Sequence, residues 1–147
     1  MDELPPRLTV VTLGARDLPE LRRFYLALGW EEVPSGSDGW TGFLVGGVLL
    51  SLFPVAELAA EASDGVLPAP TAWSGFTLAC NVDERTQVDG AFEAAVRAGA
   101  EVVAEPTDRP WGGRSAYIAD PEGNRWEIAW APGARFDDRG ALTSFGA

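Results

Sequence analysis

The chain has 147 residues, 46% of them hydrophobic, which is enough for one folded domain with a core and unlike a disordered segment. Twenty-two acids oppose 11 arginines, with no lysine and no histidine; the formal charge of −11 argues against a nucleic-acid partner or an anionic membrane surface and permits a cationic ligand. The single cysteine, Cys80, excludes an internal disulfide and suits a reducing cytoplasm, while "MDELPPRLTVV" lacks a signal-peptide core and no run approaches the ~18 apolar residues of a membrane span.

In chain order, "LTVVTLGA" (Leu8 to Ala15) is β-branched and apolar and reads as a buried strand. In "DLPELRRFYLALGW", Asp17 is a good N-cap, Pro19 falls in the first turn and Glu20 completes a capping box. Leu21, Phe24, Tyr25 and Leu28 follow helical spacing on one face, and Gly29 is the stop. "WEEV" reads as a short strand, and "GWTGFLVGG" and "GVLLSLF" as two more joined by a Gly-Gly turn. Residues 54–74 are Pro- and Ala-rich and read as a linker, with room for a short helix over Val55 to Ala62.

The second half repeats this order. "GFTLACNV" is a strand and "ERTQVDGAFEAAVRAGA" a helix, with Val88, Phe92, Ala95 and Val96 on one face and Gly99 as its stop. "EVV" is a short strand, and "GRSAYIAD" and "NRWEIAW" form a hairpin around Asp120-Pro121-Glu122-Gly123. The halves align, "ALGWEEV" with "RAGAEVV" and "GVLLSLF" with "GNRWEIAW". The reading is a single α+β domain over 1–147. Two pseudo-symmetric βαβββ modules, 8–53 and 75–130, form an open, curved mixed sheet around one cavity, with helices outside. The tail, 131–147, lies beyond the repeat and covers an edge or meets a second subunit.

Strand alternation assigns faces. On the last strand Trp126, Ile128 and Trp130 share the side that packs under the helices; Arg125, Glu127 and Ala129 face the concave side. Ser51, with Leu49 and Phe53, is the counterpart of Glu127 in the first half. Thr77, Ala79 and Asn81 share the concave face, and Leu78, Cys80 and Val82 turn inward.

"VTLGARDLPELRRFYLALGW", the duplicated β-α-β-β-β order and "DPEGNRWEIAW" resemble the glyoxalase/bleomycin-resistance/extradiol-dioxygenase superfamily, the vicinal oxygen chelate proteins, from about Leu8 to Trp130. The Asp-Pro-acid-Gly turn with Glu four residues after the glycine is the most specific element. The resemblance implies four metal-ligand positions, which fall on Val10, Ser51, Thr77 and Glu127. Only Glu127 is a side chain that divalent ions favour, and Cys80 points to the opposite face. The chain therefore resembles members lacking the metal site, with no metal or other cofactor expected. The resemblance also implies a homodimer.

The expected cavity lining is Thr12, Trp40, Phe43, Ser51, Phe53, Thr77, Asn81, Trp111, Tyr117, Arg125 and Glu127. Trp73 and Trp111 lie in loops rich in Gly and Pro, where they cover the sheet, a subunit interface or a ligand. Glu127 has three readings: a carboxylate paired with Arg125, an anchor for a cationic or hydrogen-bond-donating ligand beside aromatics, or a general base. The functional expectation is a metal-independent module binding a small aromatic or cationic molecule. The alternatives are a cofactor-free isomerase or lyase using Glu127 as its acid or base, and a divergent metalloenzyme.

Overall fold

The computed structural model describes residues 3–69 and 73–145. Strand β1 (Val10–Ala15) leads into helix α1 (Leu18–Ala27), followed by β2 (Thr41–Val45), β3 (Val48–Pro54) and α2 (Val55–Ala62). The second half runs β4 (Leu78–Asn81), α3 (Gln87–Arg97), β5 (Glu101–Asp108), β6 (Arg114–Ala119) and β7 (Arg125–Trp130). A terminal hairpin, β8 (Arg135–Phe136) and β9 (Leu142–Ser144), closes the chain. No described helix is long and apolar enough to cross a membrane.

The architecture is α+β with open, mixed sheets, and their registers express the duplication. The first sheet has the order β1-β3-β2, the second β4-β7-β6-β5. In each, the first strand runs parallel to the last and the hairpin is antiparallel. Ser51 lies opposite Thr12 and Gly42; Glu127 lies opposite Ala79 and Tyr117. Ser51 and Glu127 thus hold equivalent places. Val10 and Thr77 are likewise equivalent, each two residues before the residue facing that place.

The expected strand at "WEEV" is reduced to one bridge, Glu32 to Phe43, where the second module has the whole of β5. The reason lies in the side chains. Glu32 accepts two bonds from Arg22, at 2.5 and 2.8 Å, and one from Thr41 at 2.5 Å. The segment is fastened by these contacts rather than by a ladder.

Both modules bury one sheet face in a single core. Leu21, Phe24 and Tyr25 of α1 pack with Leu50 and Leu52 of β3, Val88 and Ala95 of α3, and Ile118, Trp126 and Ile128 of the second sheet. Tyr25 is the hinge of this packing: its ring stacks on Trp30 with centroids 5.6 Å apart and meets Phe24 edge-on at 5.0 Å. Its hydroxyl donates to Asp120 Oδ2 at 2.6 Å and accepts from Trp126 Nε1 at 2.9 Å. A buried phenol is thereby satisfied by groups from the other module.

The second tie corrects an expectation about α1. Asp17 caps the helix, its Oδ1 accepting from Glu20 N–H at 3.1 Å. The reciprocal half of the capping box, however, does not come from Glu20. The N–H groups of Arg16 and Asp17 both donate to Glu122 Oε2, at 3.0 and 2.8 Å. A glutamate from the β6–β7 turn has taken the place of the local one.

Candidate functional site

Glu127 sits mid-strand on β7, half-buried, on the face turned away from the core, as alternation requires. Its partner is Tyr117, directly across on β6, whose hydroxyl donates to Glu127 Oε2 at 3.1 Å. Burial first, then the charge and hydrogen bond of Glu127, push the Tyr117 hydroxyl above its ordinary range, with Arg109 pulling the other way. Tyr117 is therefore a protonated donor at neutral pH.

The expected pairing of Glu127 with Arg125 does not form. Arg125 Nη1 donates instead to the Gly123 carbonyl at 2.7 Å, and no ion pair joins it to Glu127. The turn carbonyl draws the guanidinium toward the hairpin tip, while the tyrosine opposite is already in bonding distance of the carboxylate.

The first module repeats the motif with neutral groups. Ser51 is buried, and its Oγ accepts from Trp40 Nε1 at 2.9 Å. The Trp40 ring lies over Gly42, where a Cβ would come within 3.2 Å of it. Gly42 is the counterpart of Tyr117, so the missing side chain makes room for the indole.

The remaining expected residues divide. Thr12 lines a hollow of about 590 Å³ between β1, α2 and the β6–β7 turn; Thr77 and Tyr117 line a second, of about 660 Å³. Trp73, Phe76 and Arg125 border both, so the two adjoin. Phe43 is a correction: it is fully buried in the core, its ring 5.9 Å from that of Tyr25, and cannot meet a ligand. It lies one residue beyond Gly42, and alternation sends it inward.

Phe53 and Asn81 are half-buried on β3 and β4 and border neither hollow, and neither do Trp40, Ser51 and Glu127, so the expected single cavity lining is divided. Trp111 is half-exposed at the β5–β6 tip, its ring folded onto Gly113, and also borders neither. Cys80 faces the helix side, as alternation requires, but it is exposed at a small apolar cleft between α1 and α3 rather than packed inward.

Of the four positions that the family resemblance marks for a metal, only Glu127 carries an acid. Among the described residues no group of three or more Cys, Asp or Glu side chains converges.

Two participants were not apparent in the sequence. Phe76 borders both hollows, one residue before Thr77. Arg109, just before the Pro110–Trp111 turn, sets its guanidinium carbon 5.7 Å from the Tyr117 ring centre. Its Nε donates to Ser115 Oγ at 2.8 Å and Nη2 to the Ser115 carbonyl at 3.3 Å. Nothing in local spacing signals that contact, because it depends on the hairpin folding back.

Comparison with known proteins fixes the class. Residues 7–128 match the model of the Glyoxalase/Bleomycin resistance protein/Dioxygenase superfamily. A crystal structure of a glyoxalase-related enzyme from Fulvimarina pelagi is similar at 30% identity and a TM-score of 0.86, over 97% of this chain and 100% of that one. A glyoxalase/bleomycin resistance protein/dioxygenase from Nocardioides follows at 27% identity and 0.72, over 88% and 85%. An uncharacterized protein of Mycobacterium bovis is 44% identical over 43 residues, which span 29% of this chain and 28% of that protein. The chain belongs to the glyoxalase/bleomycin resistance protein/dioxygenase superfamily.

Proposed function

We propose that this chain is a metal-independent member of the superfamily. It binds a small aromatic molecule in the hollow bordered by Trp73, Phe76 and Tyr117. The observation that carries the reading is the Tyr117–Glu127 pair. The one acid at the family's metal positions is held by a tyrosine, and its expected co-ligands are Val10, Ser51 and Thr77. Valine has no donor atom, and the Ser51 hydroxyl already accepts a bond from Trp40. This donor set does not fit a divalent ion, which favours imidazole and carboxylate. The aromatic border supplies stacking area, and Glu127, beside the hollow rather than in its border, orients the Tyr117 hydroxyl that does border it and leaves Oε1 open as an acceptor.

Pairing as a homodimer belongs to the same proposal. Strands β1 and β4 each pair on one side only among the described residues. Leu8, Val10, Leu44, Val102 and Val103 expose 42–68% of their surface, as an interface would use.

A second reading has its own support. Tyr117 and Glu127 together form a donor–acceptor couple able to move a proton, as a cofactor-free isomerase or lyase needs. Glu127→Gln separates the two. A binding module loses affinity for donor-bearing aromatics, whereas an acid–base enzyme keeps its affinity and loses turnover. Elemental analysis of protein purified without chelator decides against both if it finds a stoichiometric divalent metal.

A further inference from the structure

We propose that Arg109 is an anion-binding subsite beside the Tyr117–Glu127 pair, and that the ligand of this face is a small aromatic carboxylate. The proposal rests on the reading above for the aromatic part of the ligand and adds its charge.

Acids outnumber arginines 22 to 11 in this chain, so counter-ions are plentiful. Of the half-buried arginines, Arg22 and Arg114 find one, and Arg125 turns to the Gly123 carbonyl. Arg109 is half-buried yet makes no ion pair among the described residues. An anion brought to Arg109 would supply the counter-charge that the described residues do not.

The guanidinium is also fixed in advance. Ser115, itself fully buried, takes Nε and Nη2. The backbone beneath is locked by Arg109 N–H to Gly113 O at 2.9 Å and Gly112 N–H to Arg109 O at 3.1 Å. Nη1 has no hydrogen-bond partner among the described residues. A guanidinium held this way loses little freedom on binding, and its planar fork matches a carboxylate. One arginine in a chain of charge −11 suits a singly charged group better than a phosphate dianion.

The neighbours say what the carboxylate is attached to. Arg109 lies against the Tyr117 ring, outside the residues that border the hollow, and Tyr117 borders that hollow with Trp73 and Phe76. Glu127 repels an anion at its own position, so the ligand's donor group and its carboxylate lie at different ends of the arene.

The test is calorimetric titration at low ionic strength with 4-hydroxybenzoate and its neutral counterpart 4-hydroxybenzamide. The proteins are the wild type, Arg109→Gln, Arg109→Lys, and Arg97→Gln, an exposed arginine on α3 that controls for net charge. The acid binds the wild type more tightly than the amide. Arg109→Gln weakens the acid about tenfold or more, as loss of a charge-assisted bond implies, and leaves the amide unchanged. Arg109→Lys, which keeps the charge and loses the fork, falls between.

Equal weakening by Arg97→Gln, or an acid affinity untouched by Arg109→Gln, overturns the subsite. If the amide binds and the acid does not, the subsite is wrong and the aromatic reading stands; if neither binds, both fall. Sedimentation of Arg109→Gln closes the remaining route. Conversion of a wild-type dimer to monomer would assign the counter-ion to a second copy of the chain and overturn the proposal.

Discussion

Tyr25 joins the two modules through one oxygen, and its chemistry makes that visible in solution. Burial, followed by the charge and hydrogen bond of Asp120, raises its pKa well above the ordinary 10.0. The folded state therefore keeps the phenolic proton after the unfolded chain has begun to lose it. Stability from this group is fully present below pH 10.0 and falls as pH rises toward the folded value. Thermal unfolding followed from pH 9 to 11 should show that decline, and Tyr25→Phe should lessen it, leaving the part due to the raised Tyr117 and Cys80 groups. The same variant leaves the Trp126 N–H without its acceptor and costs about 1–3 kcal/mol in urea unfolding, the usual penalty for stranding a buried polar group. A loss below about 0.5 kcal/mol would mean that water reaches Trp126, and that the shared core is looser than described.

At the scale of the element, the β6–β7 turn does more structural work than its role as a family signature suggests. Asp120 Oδ1 accepts from the N–H groups of Glu122 and Asn124, at 3.0 and 2.9 Å, and so shapes the turn. Gly123 takes φ +85°, which a side chain would resist. Glu122 then reaches the entrance of α1. Replacing Glu122 with alanine should cost about 1 kcal/mol, because water can rescue two exposed N–H groups. It should also speed hydrogen exchange at Arg16 and Asp17. Unchanged exchange there would mean that the local cap suffices without the turn.

These contacts also mark how far the sequence could be read. The spacing of Leu21, Phe24 and Tyr25, the Asp17 cap and the stops at Gly29 and Gly99 all express local chemistry, and the elements form where local chemistry places them. The exchange of Glu20 for Glu122 depends on two segments more than a hundred residues apart meeting in space. So do the turning of Arg125 to the Gly123 carbonyl and the arrival of Arg109 on Tyr117. Alternation placed Glu127 on the open face, but it could not say which neighbour would reach the carboxylate first.

At the scale of the whole molecule, each module offers its open face with an aromatic donor on the equivalent residue, Trp40 on Ser51 and Tyr117 on Glu127. One half has a neutral pair and the other an ionisable one, so the duplicated frame is symmetric while its chemistry is not. If the exposed apolar residues form the proposed interface, sedimentation equilibrium should show a concentration-dependent dimer. Placing a charge at Val103, which borders the hollow and is 45% exposed, should shift that equilibrium toward monomer or weaken ligand binding. An unaltered monomer at every concentration would remove the dimer from the account.

On the proposed reading the Tyr117–Glu127 face binds an aromatic ligand without a metal. The most direct measurement is a fluorescence titration with 4-hydroxybenzoate of protein stripped by chelator, using Trp73 at the border of the hollow as reporter. A saturable response is expected that survives chelation, does not change when divalent ions are restored, and is lost in Tyr117→Ala with the fold intact. A response abolished by the chelator and recovered with one equivalent of a divalent ion would contradict that reading.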